Sequence, residues 1–83
     1  MRQLTISQAC SENNIWFKVE TEEQQRKFQE EFFKRGGKWA DGTTEIELNK
    51  QGVVFLVKDD LTILWLELEE DITDVGERVE ILY

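Results

Sequence analysis

The sequence predicts an α+β domain in which a single α-helix packs on one face of an antiparallel β-sheet of about five strands. Three observations predict it. One window, Thr21–Arg35, carries a helix start, a helical apolar stripe and a glycine stop. From Thr43 onward, short apolar or alternating stretches are separated by turn clusters, which reads as β. The chain of 83 residues is 40% apolar and 34% charged and has no proline or low-complexity stretch, so residues 1–83 read as one globular domain.

Each element follows from local pattern. Leu4 and Ile6 alternate with polar neighbours, as in a short edge strand. Ser11-Glu12-Asn13-Asn14 is a turn cluster, and Ile15–Glu20 then reads as a strand with Ile15, Phe17 and Val19 on one side. Thr21-x-x-Gln24 fits a capping box, with Glu22 and Glu23 in the electropositive first turn. Four i,i+4 pairs run from acid to base: Glu22–Arg26, Glu23–Lys27, Glu30–Lys34 and Glu31–Arg35. Phe28, Phe32 and Phe33 form the apolar stripe, and Gly36 or Gly37 supplies the left-handed stop. Thr43–Leu48 alternates as a strand, Asn49–Gly52 is a turn, and Val53–Lys58 is an apolar strand. Asp59-Asp60 reads as a two-residue hairpin turn into a long strand Leu61–Glu69. Asp71–Gly76 reads as a loop, and Val79–Tyr83 as a last strand.

With Asp59-Asp60 at the tip, Leu56 pairs with Ile63 and Val54 with Trp65. One face of the meander then shows Thr44, Ile46, Leu48, Val53, Phe55, Val57, Thr62, Leu64, Leu66 and Leu68, and the helix is expected to cover it. The other face has an apolar centre of Val54, Leu56, Leu61, Ile63 and Trp65 between Glu45, Glu47, Glu67 and Glu69. One helix covers one face. The second is expected to be an interface unless the N-terminal segment folds over it. Trp39, just past the helix stop, is expected to plug the seam between helix and sheet.

The charge is partitioned. Residues 1–58 hold nine acids and nine bases, whereas residues 59–83 hold nine acids against Arg78 alone, which is the whole net charge of −8. Glu67, Glu69 and Asp71 alternate at about 6.6 Å along a strand, and Glu70 adds to the run. Such a ladder suits a basic partner, repels nucleic acid and anionic membranes, and has the order of spacing of a nucleic-acid backbone.

What is missing narrows the chemistry. With no histidine, every Ser-His or Cys-His nucleophile and every histidine-ligated metal is excluded. Cys10 alone makes neither an internal disulfide nor a structural zinc site. No phosphate-binding glycine pattern appears, and Asp71–Glu77 departs from the calcium-loop spacing. No catalytic residue, metal or cofactor is therefore expected. No apolar run spans a membrane, and no signal-peptide apolar region opens the chain, so cytoplasmic residence is the expectation.

The stretch Ile15–Gly42, about a third of the chain, joins a strand, Thr21-Glu22-Glu23 opening a helix, Phe32-Phe33, and Gly36-x-Lys38-Trp39-x-x-Gly42. It resembles small uncharacterised proteins encoded by bacteriophages. The resemblance implies a compact α+β fold and an accessory role inside a bacterium, with no catalytic residues. The expected function is that of a non-enzymatic acidic binding protein that inhibits a basic host protein, such as a nucleic-acid-binding or host-defence component. Trp65, Ile63 and Leu56 are the expected apolar anchors, and Glu45, Glu47, Glu67, Glu69, Glu70 and Asp71 the steering charges. The alternative is a homodimer formed through the same face, with no specific use of the acidic end.

Overall fold

A computed structural model of the chain describes residues 1–66 and 76–83. Its elements are β1 (Arg2–Thr5), α1 (Ile6–Cys10), β2 (Ile15–Val19), α2 (Glu22–Lys34), β3 (Lys38–Trp39), β4 (Val53–Val57), β5 (Thr62–Leu66) and β6 (Glu77–Leu82). Among the described residues, six strands form one sheet in the order β1-β6-β2-β4-β5-β3. The mixed α/β character is as expected, but two features differ. The sheet is mixed, since β1–β6, β6–β2 and β3–β5 pair in parallel and only β2–β4 and β4–β5 are antiparallel. Among the described residues there are also two helices rather than one.

The second helix starts as the first does. At Thr5 and at Thr21 a threonine hydroxyl accepts from the backbone N–H three residues on, and the glutamine there reaches back to the cap backbone. Two of the four donors that a helix start leaves unpaired are met in this way. Both helices lie on the same face of the sheet. Ala9 and Cys10 join Phe28 and Phe32 in one buried cluster, and the Arg35 guanidinium donates to the Ser7 hydroxyl at 3.1 Å. The N-terminal segment therefore does not fold over the second face. Of the acid–base pairs expected along α2, Glu23–Lys27 at 3.6 Å and Glu31–Arg35 at 2.9 Å are formed among the described residues. The helix ends with Gly36 at φ +96°, its N–H bonded to Phe33 C=O, while Gly37 N–H reaches Phe32 C=O. This is a Schellman closure, and its left-handed residue favours glycine.

The core is aromatic. Phe17 meets Phe28 edge-on at 4.8 Å, Phe28 stacks on Phe32 at 5.6 Å, and Phe55 closes the group at 5.8 Å from Phe28. Trp39 plugs the seam as expected, with Phe33 at 6.0 Å and Phe55 at 5.9 Å. β6 enters between β1 and β2 at a tight point, where Glu77 N–H donates to Asn14 C=O at 2.9 Å. A Cβ on Gly76 (φ +113°) would stand 2.1 Å from that carbonyl oxygen, so only glycine fits.

Cys10 is part of this core. Burial pushes its thiol up to about 11, with Arg35 acting weakly in the opposite direction. The neutral thiol is the favoured form. Its contribution to stability is complete below the ordinary value of 9.0 and is lost as pH rises through about 11. At neutral pH an aromatic disulfide reagent should label the folded chain at least about a hundred times more slowly than the chain unfolded in guanidinium. Equal rates would mean that the thiol is not sequestered.

Candidate partner-binding site

The hairpin register decides where the expected anchors lie. Lys58 N–H donates to Thr62 C=O at 2.9 Å, so the loop is the three residues Asp59-Asp60-Leu61, with Leu61 in the left-handed region at φ +61°. The Asp60 carboxylate accepts from the Thr62 hydroxyl and holds the loop; that bond keeps Asp60 below the usual carboxylate range. One more loop residue than expected shifts the pairing by one. Phe55 faces Trp65, Leu56 faces Leu64, and Val57 faces Ile63. A slip of one residue turns every side chain of a strand over.

The expected constellation is therefore divided. Ile63 is buried in the core on the helix side, and Trp65 shares that side. Leu56 lies on the opposite face with Trp16, Val54 and Leu64, so it cannot anchor the same contact. That face does not present the open apolar centre expected of it, since Val54 and Leu56 are both buried. Arg78 caps its edge over the Trp16 ring, 5.3 Å from the centroid. Glu67, Glu69, Glu70 and Asp71 lie outside the described residues.

Of the expected acids, Glu45 and Glu47 lie on described residues. Residues 43–49 alternate like a strand, yet among the described residues they pair with no strand. Two glutamines of α2 hold them. Gln29 accepts from Glu47 N–H at 2.7 Å and donates to Glu47 C=O at 2.6 Å. Gln25 does the same to Asn49, at 2.7 and 2.8 Å. The geometry matches because i,i+4 on a helix rises about 6 Å and i,i+2 in an extended chain spans about 6.6 Å. Trp39 extends the series, its indole N–H donating to Glu45 C=O at 2.8 Å. Both glutamines are completely buried, so the α2 stripe that reads as three phenylalanines also carries two primary amides.

This strap leaves a cleft of about 410 Å³ between itself and the sheet. Trp39, Ala40, Asp41, Glu47, Ile63, Leu64 and Trp65 line it. The two indoles stand edge-to-face at 6.3 Å, and Trp65 is 37% exposed. Asp41 accepts from Thr43 N–H at 3.0 Å and from its hydroxyl at 2.8 Å, which holds the carboxyl below the usual carboxylate range. Of the expected residues, Trp65, Ile63 and Glu47 thus come together, joined by Trp39 and Asp41. Glu45 is exposed on the strap one alternation away. An apolar slot with anionic walls can take a cationic side chain, through the indole faces for the stem and the carboxylates for the head.

Among the described residues, no group of three carboxylate or thiol side chains is gathered for a metal ion, and no helix is long and apolar enough to cross a membrane. No family model, curated protein or solved structure matches the chain.

Proposed function

We propose that the chain is a non-enzymatic binding protein that takes a basic protein as its partner, with the Trp39–Trp65 cleft as its point of contact. The observation that carries this reading is the cleft itself: a half-exposed tryptophan beside a buried one, walled by Asp41 and Glu47. The charge partition supports it, since the −8 borne by residues 59–83 raises the encounter rate with a cationic surface. The resemblance of Ile15–Gly42 to small bacteriophage proteins supplies the setting. The partner is then a host protein inside a bacterium, and the effect of binding is inhibition of a basic, nucleic-acid-binding component.

Affinity capture from bacterial lysate, followed by binding kinetics with the purified partner, tests the reading. Association should slow about tenfold between low and high salt, and again on reversing Glu67, Glu69 and Glu70 to lysine. Trp65→Ala should speed dissociation with little change in the on-rate. An on-rate indifferent to both salt and charge reversal would reduce the acidic end to a solubility device. A native mass showing a constitutive dimer with the cleft closed would favour self-association instead.

A further inference from the structure

β5 has one edge paired along its length with β4 and one edge that β3 pairs only in part. Since Lys58 N–H donates to Thr62 C=O across the end of the hairpin, alternation along the ladder places the N–H and C=O of Leu64 and Leu66 toward β4. The N–H and C=O of Ile63 and Trp65 therefore point the other way, toward β3. There the ladder runs for only two residues, Lys38 beside Thr62 and Trp39 beside Ile63. Lys38 N–H reaches Leu61 C=O at 3.1 Å and Ala40 N–H reaches Ile63 C=O at 3.0 Å. At that point the chain turns back. Gly42 N–H closes on Trp39 C=O at 2.8 Å, and Trp39 N–H bonds Thr43 C=O at 2.8 Å. Among the described residues, nothing meets the outward N–H and C=O of Trp65.

A free strand edge is a template for another extended chain. This one opens into the cleft. The turn at Ala40-Asp41-Gly42 ends β3 and places Asp41 beside the free edge, while the strap holds Glu47 on the other wall. The two glutamine clasps fix the strap from within, so its backbone is not available to fill the gap.

We propose that the free edge of β5 at Trp65 takes an extended, lysine- or arginine-bearing segment of the partner as an added strand, whose cationic side chain enters the Trp39–Trp65 cleft beside Asp41 and Glu47. The proposal rests on the cleft reading above and adds how the partner's backbone is held. Main-chain bonds at Trp65 supply the register, and the cleft selects a positive side chain at one position. A segment with acidic side chains is rejected by the same two carboxylates.

The test uses the full chain and blocked hexapeptides of three designs, the last made in two versions. The first alternates lysine and valine. The second alternates glutamate and valine. The third repeats the first with every second backbone nitrogen methylated, made in both phases. Amide hydrogen exchange and shift titration are followed at Trp65. The lysine peptide should slow exchange of the Trp65 amide at least about tenfold at saturation, and one methylated phase should bind about tenfold more weakly, the effect of losing roughly 1.4 kcal/mol of main-chain bonding. Glu47→Lys should weaken the lysine peptide by a similar factor. If both methylated phases bind as the parent does, strand addition is overturned while side-chain capture in the cleft survives. If the glutamate peptide binds equally well, the charge selection is overturned. If the lysine peptide leaves Trp65 untouched at millimolar concentration, the added strand is overturned, and the salt dependence of the captured partner then judges the broader reading separately.

Discussion

Phe32→Ala should cost about 3–5 kcal/mol of stability, the usual loss for truncating a fully buried phenylalanine. Phe32 is 1% exposed, stacks on Phe28 at 5.6 Å and contacts Phe33 at 6.2 Å, so little around it can collapse into the space left. Trp65→Ala should cost less than about half of that, although tryptophan is larger, because Trp65 is 37% exposed and its ring meets only Trp39 among the described aromatic pairs. Denaturant titration of both variants at low protein concentration decides the order. If Trp65→Ala proved the more damaging, the cleft would be a structural seam and not a free surface.

The double replacement Gln25→Ala with Gln29→Ala should be comparably damaging, about 3–5 kcal/mol, for a different reason. Four hydrogen bonds of 2.6–2.8 Å disappear, each worth about 1 kcal/mol net, and the backbone of Glu47 and Asn49 loses its partners. Gln29→Glu separates polar pairing from packing. A carboxylate of nearly the same shape still accepts from Glu47 N–H but cannot donate to Glu47 C=O. Burial beside that carbonyl raises the folded-state pKa of the new carboxyl group above the unfolded value of about 4.3. The sign follows: the protonated form restores the donor, so the variant's stability relative to the parent is best below about pH 4.3 and falls as pH rises through the raised value. Melting curves across that interval give the result. A pH-independent difference would mean that the amide acts through volume alone.

Much of the fold could be read locally. The start of α2 at Thr21 and its stop at Gly36 follow from capping chemistry and needed no tertiary information. The start of α1 carries the same signal, Thr5-x-x-Gln8, but the five-residue helix is too short for a periodic stripe to draw attention to it. Other features were hidden for definable reasons. Leucine in the left-handed region is rare, so nothing at Leu61 announces a three-residue loop, and the register and both sheet faces hang on that residue. The alternation of Thr43–Leu48 is genuine, but among the described residues the extended chain is matched by side-chain amides and not by a strand. Glutamines in a helix also read as surface. The parallel insertion of β6 has no local signature at all, because pairing direction is set by chain trajectory. At the candidate site, Trp65, Ile63 and Glu47 were legible as components. Their union with Trp39 and Asp41 depends on the corrected register and on the strap.

The position of β6 bears on how the molecule reaches this state. β1 and β2 are close in sequence and parallel to one another, yet the slot between them is filled by a strand that leaves the ribosome some sixty residues later. Until it arrives, β1 has no neighbour among the described strands and β2 has one bare side. The nascent chain can build α2 and the β2–β4–β5 meander in order of synthesis, but closing the sheet must wait for the most distant pairing. Such non-local closure slows folding and leaves strand edges exposed meanwhile. Translation speed and chaperone access should therefore govern the yield of this small domain more than its size suggests.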